Sequence, residues 1–263
     1  MGNVKNILGA GMKITPYTIV NEKIPEAFSG FRIVHLSDLH CESKKGLISE
    51  VVNQNPDIIV MTGDMTDEKK QYGSFLKMLT SLLKIAPCYI ISGNHDVKRT
   101  DYRVLVDKCK EIGAIFLEDE SREIVLEDEK IIIHGVNDPA ARCDSIIEKN
   151  VGESLKALKR YEEYEILLFH RANKLELFKD AGFDLILSGH MHGGQMRIPY
   201  FGGVLGPLSS FATKESPIFP KYSGGYYRVG ESDAIVNCGL GNSVKLPRFG
   251  NPTELVLITL KRE

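Results

Sequence analysis

The chain repeats one local pattern, a short apolar run rich in β-branched residues that ends at a polar or glycine-containing turn. The runs are Arg32 to Leu36, Asp57 to Met61, Cys88 to Ile91, Lys130 to Ile133, Glu165 to Phe169 and Asp184 to Leu187. Continuous apolar runs of this length predict strands that are buried on both faces. Sheets made of such strands must lie inside the protein, between other layers.

Segments with helical spacing of apolar residues lie between several of these runs. They are Tyr72 to Lys84, Tyr102 to Ile112 and Ile146 to Tyr161, and a last predicted strand, Glu254 to Leu260, closes the chain. The alternation of strand and helix predicts an α/β fold with right-handed crossovers and sheets covered by helices. In such folds ligand-binding residues collect at the carboxyl ends of the strands.

Length and composition indicate an ordinary globular protein. The chain has 263 residues, 43% of them apolar and 26% charged, and single α/β domains often run to about 250 residues. We therefore expect one domain, residues 1–263. The formal charge of −2 provides no global positive field, so no nucleic-acid partner is expected.

The cysteines and the N-terminal residues bear on location. Five widely spaced cysteines without a CxxC pair fit a reducing compartment. The longest apolar stretch near the start, Ile7 to Met12, is far shorter than the roughly 18 residues that span a bilayer. No signal-peptide pattern precedes it. A cytoplasmic protein is the expectation, with membrane association as an addition.

Metal-binding side chains follow the apolar runs in five places. The segments are Asp38 to His40, Gly63 to Asp67, Gly93 to Asp96, the single His170, and Gly189 to His192. Their carboxylates, imidazoles and one amide oxygen suit divalent cations. Seven candidate ligands exceed what one ion usually takes, whereas two ions about 3.5 to 4 Å apart need a shared carboxylate. Two adjacent metals indicate phosphate-ester chemistry.

Residues 193–230 break the strand-helix pattern. They contain eight glycines, four prolines and seven aromatic residues with little periodicity. The composition predicts a long, partly ordered loop or hairpin beside the metal-binding segments, and long loops in compact domains are often functional. The alternative is a plain connection whose aromatic side chains cap the core. No GxSxG elbow and no Walker P-loop is present in the sequence.

The motifs, in composition and order, resemble those of the calcineurin-like metallophosphoesterase superfamily over about residues 30–260. The resemblance implies two packed mixed β-sheets flanked by helices, a four-layer αββα sandwich. The segments Gly189 to Gln195, Gly239 to Ser243 and Leu246 to Phe249 are similar to those of a bacterial subgroup of phosphodiesterases. That subgroup is often membrane-associated or exported, and some members are UDP-diacylglucosamine hydrolases.

Two features depart from that subgroup. We expect no N-terminal anchor of the kind that this subgroup has, which bears on location. In addition, His170 is followed by Arg171, Ala172 and Asn173, where relatives usually have an Asn-Pro-Asp type of sequence. The second difference bears on the choice of substrate.

The resemblance also implies a ligand set for two metal ions. One ion would be held by Asp38, His40 and His192, the other by Asn94, His170 and His190, with Asp64 bridging both. Mn, Fe, Zn, Mg and Co all tolerate such ligands, and Mn is favoured. A hydroxide bridging the metals is the expected nucleophile, since metal coordination lowers the pKa of water to about 7.

Other residues have candidate roles at the phosphate. His95 is the expected general acid, and Asp67 the expected orienter of its ring; the alternative for His95 is a structural hydrogen bond. Arg197 and Arg248 are candidate binders of the substrate phosphate, with solvated surface as the alternative.

The expected function is a dimetal phosphodiesterase or pyrophosphohydrolase acting on a small-molecule or lipid-linked phosphoester. A phosphomonoesterase or protein phosphatase on the same scaffold is the alternative, followed by a nuclease. A non-catalytic metal-binding module is a different class of function, and the complete ligand set argues against it. Peripheral contact with a membrane is a further expectation.

Overall fold

The computed structural model of the protein describes residues 11–141, 143–207, 216–242 and 246–263. The strands of this part are β1 Met12–Asn21, β2 Arg32–Leu36, β3 Ile58–Met61, β4 Cys88–Ile90, β5 Ile115–Phe116, β6 Glu120–Leu126, β7 Glu129–Val136, β8 Glu165–Arg171, β9 Leu185–Gly189, β10 Arg197–Ile198, β11 Gly202–Gly203, β12 Gly225–Val229, β13 Ser232–Val236 and β14 Thr253–Arg262. The helices are α1 Leu47–Gln54, α2 Gly73–Leu82, α3 Tyr102–Glu111 and α4 Asp144–Ala157, with short 3-10 helices at Glu26–Phe28, Ala172–Phe178 and His192–Gly194.

The strands form two six-stranded sheets and a small hairpin. The first sheet has the order β1-β14-β2-β3-β4-β5, and the second has the order β12-β13-β9-β8-β7-β6. Each sheet is parallel at its centre, while β14 runs antiparallel to β2, and β12 and β6 run antiparallel to their neighbours. Strands β10 and β11 pair as a separate antiparallel hairpin. Both large sheets are therefore mixed.

The side chains of each sheet alternate between its two faces, so each sheet contributes to an inner and an outer apolar layer. Val60 of β3 packs in the same cluster as Leu187 of β9, so the inner faces of the sheets meet. Met61, one residue on from Val60, packs instead with Leu79 of α2 on the outer face of the first sheet. Ile147 of α4 packs on the outer face of the second sheet. The predicted four-layer αββα sandwich is confirmed.

The main differences from the sequence prediction lie at the edges of the sheets. Strands β1, β5, β6, β12 and β13 and helix α1 were not predicted, and β1 extends the first sheet ahead of residue 30. Strand β12 falls within the glycine-rich segment 193–230, which is therefore not all loop; residues 208–215 of that segment lie outside the described residues. None of the helices in the described ranges is long and apolar enough to cross a membrane.

Candidate metal centre

The seven predicted ligands come together at one edge of the sandwich, where the central strands of both sheets end. Asp38 and His40 follow β2, Asp64 follows β3, Asn94 follows β4, His170 lies near the end of β8, and His190 and His192 follow β9. All seven side chains are buried. Parallel strands direct their carboxyl ends to the same edge, so segments distant in sequence supply one site.

The first cluster joins Asp38, His40 and His192, whose ligand atoms lie within 4.8 Å of one another. The Nε2 atoms of the two histidines are 3.1 Å apart. His192 Nε2 is 3.4 Å from Asp38 Oδ1, and His40 Nε2 is 4.0 Å from that oxygen. Three potential ligand atoms therefore converge on one point.

The second cluster joins Asp64, His170 and His190, again within 4.8 Å. His170 Nε2 is 3.2 Å from Asp64 Oδ2 and 3.2 Å from His190 Nδ1. The same Asp64 oxygen lies 4.0 Å from His40 Nε2 in the first cluster. Asp64 is thus placed between the two clusters, as a carboxylate shared by two ions must be.

The residues present fit divalent cations. Asp38 Oδ1 and Asn94 Oδ1 are buried and have no hydrogen-bond partner within the described part of the chain, which is costly unless an ion satisfies them. Burial lowers the pKa of His40 to about 4 and the pKa values of His190 and His192 well below their usual range. Neutral imidazoles with convergent lone pairs are what a metal ion requires.

The Asp64–His170 pair shows that a positive charge is favoured beside the Asp64 carboxylate. Burial lowers the pKa of His170, but the facing carboxylate of Asp64 outweighs this effect and raises the pKa to about 10. The Nδ1–H of His170 donates to the carbonyl oxygen of Thr62 at 2.7 Å, which orients the ring and aims Nε2 at Asp64. Asp64 and His170 would hold a divalent cation, which would supply the positive charge that the proton otherwise brings.

The backbone at the site is held in an unusual conformation. Five ligands have positive φ angles, namely Asp38 (52°), His40 (52°), Asp64 (51°), His190 (74°) and His192 (48°). Residues other than glycine rarely adopt this region, and such strain persists only where surrounding contacts determine it. The His190 N–H donates to Asp38 Oδ2 at 2.9 Å, and the Asp38 N–H donates to the Gly63 carbonyl at 3.0 Å.

Two glycines allow the ligand segments to approach each other. A Cβ atom on Gly93 would lie 2.2 Å from the backbone nitrogen of Asp64, and one on Gly189 would lie 1.9 Å from Ser37 Oγ. Real Cβ atoms do not make such contacts, so only glycine fits at either position. The glycines in these motifs are needed for the geometry of the site.

Comparison with known proteins agrees with this geometry. The sequence model of the family described as calcineurin-like phosphoesterase matches residues 31–194. This chain belongs to that family. Its relatives are metallophosphoesterases, so it is a phosphoester hydrolase whose ligand clusters are suited to divalent metal ions.

Two relatives and one solved structure illustrate the similarity. The chain is 29% identical over 262 residues to the uncharacterized metallophosphoesterase YkuE of Bacillus subtilis (strain 168), covering 95% of this chain and 86% of YkuE. It is 27% identical over 223 residues to the phosphodiesterase YaeI of Escherichia coli (strain K12), covering 81% and 76%. The structure of TT1561 from Thermus thermophilus shares the fold, with a TM-score of 0.53 at 11% identity over 80% of this chain and 90% of that one.

The predicted general acid of this phosphoesterase lies beside the candidate metal ligands. The His95 side chain is 27% exposed, and its ring stands edge-on to the ring of His40 with the centroids 5.0 Å apart. A potential ligand atom of His95 also lies within 4.8 Å of those of His40 and Asp64. The ring therefore borders the first cluster and faces outward.

The carboxylate at the His95 ring is not the one that we expected. Glu68 Oε1 lies 3.5 Å from His95 Nδ1, whereas Asp67 Oδ2 lies 3.2 Å from the amino group of Lys70. Asp67 Oδ1 accepts a hydrogen bond from the backbone N–H of Lys69. The Asp67 carboxylate thus contacts its own loop, and among the described contacts it is Glu68 that lies near the His95 ring.

Arg197 and Arg248 are both engaged with the backbone around His192. Arg248 Nη2 lies 3.2 Å from His192 Nδ1 and donates to the Gly241 carbonyl at 2.6 Å. Arg197 donates to the carbonyls of Gly193 and Gly224 at 3.3 and 3.4 Å. Neither is plain solvated surface, and phosphate binding by either stays a prediction. Lys245, a basic residue close to Arg248 in the sequence, lies outside the described residues.

A buried ion pair next to His170 was missed at the level of sequence. Arg171 donates from Nε and Nη2 to the two oxygens of Asp138, at 2.6 and 2.8 Å. Both residues are 4% exposed. The unusual residue after His170 marked the position as different, but nothing in the sequence pointed to a partner 33 positions away.

An apolar groove begins where the turn that carries His192 ends. It has a volume of about 700 Å³ and is lined by Arg197, Ile198, Pro199, Tyr200, Gly202, Phe249 and Gly250. Tyr200 and Phe201, in the β10–β11 hairpin, and Phe249 are exposed to solvent. Isolated exposed apolar side chains are normal, whereas several side by side favour contact with an apolar ligand. The described part of segment 193–230 thus forms one wall beside the metal centre.

Proposed function

We propose that the protein hydrolyses phosphodiesters or pyrophosphates at a centre of two divalent ions, with Mn²⁺ as the favoured metal. The observation that carries this proposal is the position of Asp64, which belongs to the second cluster and lies 4.0 Å from His40 of the first, at one buried edge. A single ion needs no such shared carboxylate, whereas two adjacent ions can stabilise both the attacking oxygen and the leaving oxygen of an in-line displacement. YaeI, a relative named as a phosphodiesterase, supports the diester substrate.

Individual residues of the chain have separate roles in such a reaction. Bound metal ions would polarise the phosphate and lower the pKa of the attacking water. Asn94 contributes a neutral amide oxygen, which limits the negative charge that an incoming phosphate anion meets. His95 donates a proton to the leaving oxygen, because its ring is at the exposed rim of the clusters.

The groove supports a substrate with an apolar part, such as a lipid-linked diester. Its walls carry Ile198, Tyr200 and Phe249, and Arg248, next to Phe249, contacts His192. An apolar group bound in the groove therefore lies close to the first cluster. Binding energy from a remote part of the substrate can lower the barrier for the reacting part.

A substrate panel tests the proposal. Protein stripped of metal and reloaded with Mn²⁺ is assayed on bis-nitrophenyl phosphate, on nitrophenyl phosphate and on diesters with alkyl chains of increasing length. We expect diesters to be hydrolysed faster than the monoester, with kcat/KM rising with chain length. Ala in place of Tyr200 and of Phe249 should remove the dependence on chain length and preserve hydrolysis of the short diester. Preference for the monoester would favour the phosphomonoesterase alternative.

A further inference from the structure

Exposed apolar side chains are concentrated on one surface beside the candidate metal centre. Fifteen large apolar side chains are exposed in the described residues, and six of them form what we call the aromatic face: Ile198, Tyr200, Phe201, Ile218, Phe219 and Phe249. All three exposed phenylalanines of the described chain are among these six. Single exposed apolar residues are normal, whereas a cluster of this kind marks a surface that meets another apolar body.

Backbone hydrogen bonds hold the segments of the aromatic face side by side. The N–H of Arg197 donates to the carbonyl of Phe249 at 2.9 Å. The N–H of Val204 donates to the carbonyl of Met196 at 2.8 Å, and the N–H of Phe219 donates to the carbonyl of Val204 at 2.9 Å. The exposed side chains therefore belong to one connected platform, built around the β10–β11 hairpin.

Two aromatic residues of the face lie at turns with an unusual backbone conformation. The φ angle is 70° at Tyr200 and 51° at Phe219, a region that bulky residues adopt at a cost in strain. Tyr200 is fully exposed and Phe219 is 53% exposed. An exposed ring on a strained backbone stabilises the fold little, which indicates that these rings act in contact with a partner.

The sequence around the aromatic face is basic. Residues 193–225 and 239–251 contain five lysines and arginines and a single acid, Glu215, in a chain whose formal charge is −2. Three of these six charged residues, Lys214, Glu215 and Lys245, lie outside the described residues. Basic residues beside apolar ones attract an anionic surface. They would repel the same surface of a second copy, because a two-fold interface brings identical patches together.

The three described basic residues differ in their contacts. Lys221 forms an ion pair with Glu176. Arg197 and Arg248 donate instead to backbone carbonyls, and neither forms a salt bridge within the described part of the chain. Two guanidinium groups thus keep their positive charge at positions that directly precede members of the aromatic face in the sequence.

The aromatic face borders the candidate metal centre. Arg248, which precedes Phe249, has its Nη2 atom 3.2 Å from His192 Nδ1. The backbone N–H of Leu205, just after β11, donates at 2.9 Å to the carbonyl of Gly194 in the turn that carries His192. A body that covers the aromatic face therefore lies close to the first ligand cluster.

We propose that the aromatic face docks the protein on the anionic surface of a lipid bilayer. Tyr200, Phe201 and Phe219 enter the interfacial region of the bilayer, where aromatic side chains are favoured. The basic residues around them are attracted to acidic head groups. Docking in this orientation brings the candidate metal centre to the level of the lipid head groups. Binding to the bilayer is separate from hydrolysis and does not depend on the proposed function.

A single fluorescent reporter tests the orientation. The chain contains no tryptophan, so Phe201→Trp introduces one on the aromatic face. Vesicles made of equal parts of phosphatidylcholine and phosphatidylglycerol are added to the metal-loaded protein. We expect the emission to shift to the blue and to be quenched by lipids with brominated acyl chains. Val125→Trp puts the reporter at a site that is 62% exposed on the edge strand β6, and it should show neither effect. Equal effects at both sites, or none at Phe201→Trp, would overturn the proposal.

Sedimentation with the same vesicles measures the affinity. Phe201→Ser and Phe219→Ser should each weaken binding about 10-fold, the order expected when a large apolar side chain is no longer buried in lipid. Val125→Ser is the matched control and should bind like wild type. Both phenylalanines are exposed, so thermal unfolding should show that the variants keep their fold. Binding should also weaken with added salt and on phosphatidylcholine alone. Undiminished binding of both variants, or equal binding to neutral vesicles, would refute the assignment.

Two further results distinguish this proposal from its alternatives. Sedimentation velocity without lipid examines a second copy as the occupant: a wild-type dimer that Phe201→Ser dissociates would make the face a subunit interface, and the proposal would be wrong. Vesicle binding is measured without turnover. Protein that binds vesicles but hydrolyses no diester would therefore contradict the proposed function alone, and protein that hydrolyses diesters but does not bind vesicles would contradict the docking surface alone.

Discussion

Breaking the buried pair between Arg171 and Asp138 should strongly destabilise the protein. Arg171→Met leaves Asp138, 4% exposed, as a buried charge whose two bonds of 2.6 and 2.8 Å are lost. Removing one partner of such a pair costs about 3 to 5 kcal/mol. At about 2 to 4 °C per kcal/mol for a chain near this size, the midpoint of thermal unfolding should fall by about 6 to 20 °C.

The assay is urea and thermal unfolding of metal-free protein, so that metal binding does not add to stability. Asp138→Asn keeps an acceptor for the Ala140 N–H, which donates to Asp138 Oδ1 at 2.8 Å, and removes the charge. The double variant, which combines Arg171→Met with Asp138→Asn, should therefore be more stable than Arg171→Met alone. As a control, Lys149→Met breaks a pair with Glu153 whose side chains are 73% and 63% exposed, and the change should stay within about 0.5 kcal/mol. If the losses of unfolding free energy in Arg171→Met and in Asp138→Asn simply add in the double variant, the reasoning is refuted.

Two other predictions concern the metal site and the second sheet. Gly93→Ala should lower metal occupancy, measured by elemental analysis, because the new Cβ would lie 2.3 Å from Asp64 Oδ1; full occupancy would contradict the packing argument. Burial raises the pKa of Glu165, but hydrogen bonds from His134 and Arg160 outweigh it and lower the value from 4.5 to about 2. The ionised group thus contributes stability above pH 4.5 that is lost as the pH falls toward 2, so Glu165→Gln should flatten the curve of unfolding free energy against pH in that window. A curve parallel to that of wild type would exclude this role.

The parts of the fold that were predicted from sequence are those with an unambiguous burial pattern. Strand β3, Ile58–Met61, is buried at every residue and flanked by helices, so its apolar run indicated a central strand. Strand β6, Glu120–Leu126, lies at the edge of a sheet with only Ile124 buried, and it gave no such signal. Edge strands depend on a single neighbour, which the local sequence does not specify.

The clustering of the candidate ligands could be predicted because each lies at or just after the end of a strand, most of them in short motifs of distinctive residues. The residues around them could not. Asp67 and Glu68 are adjacent acids, but Asp67 contacts Lys70, whereas Glu68 contacts His95 and Lys98. Side-chain direction in a loop follows from tertiary contacts, which a sequence pattern does not contain.

In the proposed centre two metal ions share Asp64, and hydrolysis requires both. The most direct measurement is a titration of metal-free protein with Mn²⁺, following bound metal by elemental analysis and diesterase activity in the same samples. Wild type should bind two ions per chain and become fully active only as the second binds. Asp64→Asn should weaken both sites, because the carboxylate lies 3.2 Å from His170 in one cluster and 4.0 Å from His40 in the other. Full activity with one ion, or loss of only one site in Asp64→Asn, would contradict a shared two-metal centre.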